Sequence, residues 1–119
     1  MRPPPIGADI LAFPGKKPPR QVGFERMELM RILDLYGRMV AAGQWRDYAI
    51  DFTSDCAIFS AFRRSSERPQ FSIEKRPALR LRQGLWALIG EQGQVLKRGD
   101  ELAGVLAPVE RRLLKLVDE

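Results

Sequence analysis

The sequence predicts an α+β fold, an antiparallel β-meander of about five strands with an N-terminal and a C-terminal helix packed on one face. Two observations carry this. Residues 24–42 and 100–117 space their apolar side chains as helices do, and residues 46–98 alternate with a period of two between turn signals. The 119 residues are 45% hydrophobic and 29% charged, which suits one soluble domain with one modest core.

Residues 1–22 read as a Pro-rich basic tail and residues 23–119 as the single α+β domain. Six of the nine prolines fall within residues 1–19, so this part is expected to be extended rather than packed. Its one apolar insert holds Ile10, Leu11 and Phe13. Two readings fit: the insert folds back on its own domain, or it is a docking peptide for a partner. The insert is too short for the apolar core of a signal peptide, and no apolar run approaches the roughly 20 residues of a membrane span. The expected location is the cytoplasm. A single Cys agrees with that and allows no intrachain disulfide.

In the first helix Leu29, Ile32, Leu33, Leu35, Tyr36, Met39 and Val40 share one wide arc, and Gly43 is placed to stop it. Met27 and Met30 fall on the polar side, where Met serves as filler or touches the tail or a partner. "RDYAIDF" then alternates, with Tyr48, Ile50 and Phe52 on one face and Asp47, Ala49 and Asp51 on the other. "TSD" turns. "CAIFSAFRR" is apolar on both faces at its start, as a strand covered on both sides would be. "QFSIEK" alternates again. "GLWALIG" and "QVLKR" flank a hairpin whose Gly93 suits a left-handed backbone. Leu102, Val105, Leu106, Val109, Leu113, Leu116 and Val117 of the last helix share an arc of roughly 120°. They keep phase across Pro108, which predicts one helix, kinked at Pro108 with the proline on its outer side, and Asp100 is the expected N-cap.

Composition excludes whole classes of chemistry. Without His there is no Ser-His-Asp or Cys-His catalysis and no ordinary zinc site. Asp47 and Asp51 lie about 13 Å apart along a strand, too far to share a metal or act as a catalytic pair. Asp55 reads as a turn residue and Cys56 as a buried, inert thiol. "GQVLKRGDEL" places glycines and a Lys before a helix but lacks the spacing of a phosphate loop. No catalytic residue, cofactor, metal or small-molecule ligand is indicated, and the expectation is a protein that is not an enzyme.

The net charge is +5. Residues 62–82, "FRRSSERPQFSIEKRPALRLR", concentrate it. Arg63, Arg64, Arg68, Lys75, Arg76, Arg80 and Arg82 could form a rim at strand ends that neutralises phosphates, with Arg80 and Arg82 pointing the same way from a strand. The same residues could guard an exposed sheet edge against aggregation.

"LYGRMVAAGQWRDYAIDF", "AIFSAFRRSSERP", "IEKRP" and "LKRGDELAGVL" together resemble the domain-of-unknown-function family 2794, small proteins of alphaproteobacteria, over about residues 24–117. The resemblance implies a bacterial cytoplasmic protein and transfers no activity, cofactor or site residue. The functional expectation is a small non-enzymatic adaptor or regulatory protein, met by a protein partner or by a copy of itself. The alternative is a nucleic-acid-binding protein that uses the basic rim.

Overall fold

A computed structural model of the chain describes residues 21–64 and 68–118. The tail insert with Ile10, Leu11 and Phe13 lies outside the described residues. The elements are α1 (Arg26–Ala41), β1 (Asp47–Phe52), β2 (Ala57–Phe62), β3 (Phe71–Lys75), a short 3₁₀ turn (Pro77–Leu79), β4 (Trp86–Ile89), β5 (Val95–Gly99) and α2 (Leu102–Asp118). The strands lie side by side in chain order, and every neighbour is antiparallel. The fold is α+β, a five-stranded meander with both helices over one face.

The entry segment is tied down before α1 begins. The Val22 amide donates to the Thr53 carbonyl (2.8 Å), so Val22 is joined to the sheet. Phe24 stacks on Trp86, with ring centroids 6.1 Å apart. The Glu25 amide donates to Glu28 Oε1 (2.7 Å), satisfying one of the helix's unpaired amides. At the other end Gly43 takes φ +76° and donates to the Val40 carbonyl. That left-handed turn stops the helix at little steric cost only because the residue is Gly.

Register decides the faces. Ile50 pairs with Phe59, Phe59 with Ile73, and Ile73 with Leu88, so all four side chains point at the helices. Ile32, Leu35 and Met39 of α1 and Val105, Leu106, Val109 and Leu113 of α2 close over them. Phe59 and Leu88 are fully buried. Each such side chain contributes about 1.5–3 kcal/mol relative to exposure. Tyr36 sits against Tyr48, Trp45 and Phe59, with centroids 5.0–6.0 Å away. Buried Trp45 donates its Nε1–H to Gln70 Oε1 (2.7 Å), which removes the cost of burying either polar group unpaired.

α2 runs through Pro108 without a break. Proline gives up its own hydrogen bond there and crowds the carbonyl one turn back, while the apolar stripe holds both halves to the sheet. Two expectations fail. Leu116 and Val117 are 37% and 67% exposed, so the stripe outruns the core in the last turn. Asp100 precedes α2 by two residues and is not its cap; its Oδ1 accepts the Leu85 amide instead (3.3 Å).

Candidate functional site

The seven cations expected to share a rim are divided between the two ends of the sheet. Arg63 and Arg64 follow β2, and Arg68 precedes β3. Lys75, Arg76, Arg80 and Arg82 lie at or beyond the far end of β3, a strand about 17 Å long. Several are also occupied. Lys75 pairs with Trp86 across the ladder and therefore points at the helices. It is buried, and its Nζ donates to Glu28 Oε1 (2.7 Å) and the Gly23 carbonyl (3.0 Å) and lies 5.8 Å from the Trp86 ring centroid. Arg76 donates Nε–H to Glu74 (3.1 Å), and Arg63 meets Glu91 (3.0 Å). The Glu74 hydrogen bond raises the Arg76 pKa above its usual value.

Arg80 and Arg82 are not on a strand. They lie in the turn after the 3₁₀ segment, where the Arg80 amide donates to the Pro77 carbonyl and the Arg82 amide to the Leu79 carbonyl. Pro77 sets the first helical φ of that segment and ends the ladder. Alternation of Leu79 and Leu81 with the two arginines mimics a strand, yet Leu81 is 96% exposed.

Helix α2 supplies cations that the reading of residues 62–82 missed. Leaving the Trp86 end of the sheet, it returns to the Phe62 end. Arg112 there joins Arg63, Gln70, Phe71 and Leu96 around a shallow groove of about 280 Å³. Arg111 and Lys115 line the adjoining surface with Leu96 and Leu114. Their place on the polar arc of the helix was legible in the sequence, but the end of the sheet they reach was not.

The second surface is the sheet face away from the helices. Asp47, Ala49 and Asp51 point there from β1, and Ile58, Ser60 and Phe62 from β2. Ser72 and Glu74 follow from β3, Ala87 and Ile89 from β4. Val95 and Arg98 complete it from β5, where an extra residue at Leu96 shifts the register. Ser60 and Ser72 share a hydrogen bond (3.1 Å). β2 was expected to be covered on both sides; among the described residues only the helix side is. Ile58, Phe62 and Ile89 keep partial exposure, and Val95 is 52% exposed.

The remaining candidates have structural explanations. Asp55 donates its amide to Thr53 Oγ1 (3.1 Å), as does Cys56 (3.0 Å), in the turn between β1 and β2. Cys56 is buried. Among the described residues, no three His, Cys, Asp or Glu side chains gather as a metal site would need. The glycines before α2 serve the hairpin and a close approach. Gly84 (φ +106°) lies so near Gly99 that a Cβ would fall 2.8 Å from the Gly99 carbonyl carbon. Burial, and then the Asp47 carboxylate, raise the Tyr36 pKa above the usual phenol value. That group is partly buried and packs against the edge of the core. Among the described residues no helix is long and apolar enough to cross a membrane.

One family model, described as "Protein of unknown function (DUF2794)", matches residues 22–106. No curated protein and no solved structure matches the chain.

Proposed function

The chain belongs to the DUF2794 family, and from that premise we propose that it is a non-enzymatic interaction module of the alphaproteobacterial cytoplasm, an adaptor or regulator that works through the sheet face away from its helices. The observation that carries the reading is the apolar centre of that face. Ile58, Phe62 and Ile89 occupy positions that a solvent-facing sheet fills with polar residues. Charged residues ring them, with Asp47 and Asp51 on one edge strand and Arg98 on the other. An apolar centre with a charged rim is the usual anatomy of a protein interface.

The test compares wild type with Ile58→Glu, by affinity capture from the native host and by light scattering. Wild type should hold a protein partner or a second copy and Ile58→Glu should release it, with the far-UV circular dichroism unchanged. A wild-type protein that is monomeric and captures nothing Ile58-dependent would refute it.

A second reading draws on a different observation. Arg63, Arg64 and Arg68 share the Phe62 end of the sheet with Arg111, Arg112 and Lys115, which supports phosphate-backbone binding by a nucleic acid there. About five phosphate contacts give a log–log salt slope of roughly −4 to −5. Polarisation titrations of DNA and RNA oligonucleotides at 50 mM salt test it, and no binding there ends it. An Arg111→Ala/Arg112→Ala/Lys115→Ala variant should flatten the slope.

A further inference from the structure

The side chains of the uncovered sheet face stand in rows across the strands. One row reads Asp51, Ile58, Glu74, Ala87, Arg98 from β1 to β5. The next reads Ala49, Ser60, Ser72, Ile89, Val95. Both are centred on β3, the middle strand. Each row has a property that a single sheet facing solvent does not need: reversing it end to end gives its complement.

We propose that this face binds a second copy of the chain, face to face, about a two-fold axis parallel to β3. This rests on the reading that the face is an interface, and adds what occupies it. Such an axis exchanges β1 with β5 and β2 with β4. Asp51 then lies across from Arg98 of the second copy, and Arg98 across from its Asp51. Ile58 lies across from Ala87, Ile89 across from Ser60, and Val95 across from Ala49. In these two rows each large apolar side chain meets a small one, as two interdigitating layers require. In the first row the acidic edge, Asp51, meets the basic edge, Arg98.

Glu74 and Ser72 fall on the axis and meet themselves. Glu74 is already held by Arg76 (3.1 Å), so the axis gathers two acids and two bases rather than two bare carboxylates. Ser72 keeps its bond to Ser60. Aligned sheets cross at about 30°, which moves the edge strands, roughly 10 Å from the axis, by about 5 Å. An arginine side chain spans that offset. The charge pattern argues for a copy over an unrelated partner, since Asp51 and Arg98 stand at opposite ends of one row of a single molecule.

Five strands of about five residues give a footprint near 24 by 17 Å, or roughly 400 Å² per copy. That is below the size of a permanent interface, so the association is expected to be concentration-dependent.

Sedimentation velocity of the full chain from micromolar to millimolar concentration tests this. Wild type should show a monomer–dimer equilibrium. Asp51→Arg and Arg98→Asp should each weaken it at least about ten-fold, because two like-charged contacts result. The Asp51→Arg/Arg98→Asp double variant should return to within about three-fold of wild type. Circular dichroism checks that each variant is folded. A monomer at every concentration, a dimer indifferent to both single reversals, or a double variant no better than the singles would overturn the proposal. A monomer that captures a different protein through Ile58 would also overturn it while leaving the interface reading in place. A monomer that dimerises only once residues 1–20 are removed would assign the face to the tail.

Discussion

Replacing Glu28 by Gln should destabilise the domain far more than a surface ion pair would. Glu28 Oε1 accepts from both Lys75 Nζ (2.7 Å) and the Glu25 amide (2.7 Å). The Lys75 and Glu28 side chains are only 10% and 19% exposed. Glutamine keeps an oxygen for the amide, so the helix start survives. What is lost is the counter-charge, and the Lys75 ammonium is left with neutral acceptors only, the Gln amide oxygen and the Gly23 carbonyl (3.0 Å). Breaking a fully buried pair from one side costs about 3–5 kcal/mol; the remaining solvent contact lowers this to about 2–3 kcal/mol. Lys75→Met keeps the apolar stem on Trp86 and leaves a carboxylate that water still reaches, for about 1–2 kcal/mol. The double variant buries no unpaired charge and should lie within about 1 kcal/mol of wild type. Urea unfolding of the four proteins at neutral pH, at constant slope, measures each cost. Single costs that simply add in the double variant, or a Glu28→Gln cost under about 1 kcal/mol, would mean that Glu28 and Lys75 are not an energetically coupled pair.

Gly84→Ala should cost about 2–3 kcal/mol, because its φ of +106° and the nearby Gly99 backbone both resist a Cβ. Thermal unfolding should show it as a drop of roughly 10–20 °C. Gly37→Ala in α1 meets nothing within 4 Å and should instead stabilise by about 0.5–1 kcal/mol. Trp45→Phe removes the indole donor and leaves buried Gln70 Oε1 unpaired, a loss of about 1–3 kcal/mol readable in the urea midpoint. Because folding raises the Tyr36 pKa, the unfolded chain releases that proton first as pH rises. The contribution is whole below pH 10, the ordinary phenol value, and is lost as pH climbs through the folded-state pKa. Absorbance titration of wild type against Tyr36→Phe should show the phenol ionising later than a free tyrosine; an ordinary or lower midpoint would refute it.

Alternation and helical spacing made the elements, their order and the helix side of the sheet legible, because burying one face imposes that periodicity. Tyr48, Ile50 and Phe52 illustrate it: one residue's slip would have turned all three to the wrong side. The site was legible only in part. Residues 62–82 look like one basic stretch, but strand length carries its halves to opposite ends, and Lys75 is drawn inward by a Glu 47 residues earlier. No local pattern announces such a pairing. Arg80 and Arg82 misled because Pro77 starts a turn whose spacing imitates a strand. The complementary rows across the open face were also hidden, since a row takes one residue from each of five strands and exists only once register is known.

The order of the strands has a kinetic consequence. Each strand pairs with the one made just before it, so the sheet can assemble by successive hairpins as the chain is synthesised, without long loops to close. The helices differ. α1 is made first, yet its apolar side is closed partly by α2, which is made last, and Arg38 of α1 meets Glu110 of α2 (3.3 Å). A ribosome-bound chain stopped before residue 102 would then carry a sheet with half its roof missing. Final burial waits on the last helix, which makes residues 102–118 the step on which cooperative closure of the whole domain depends.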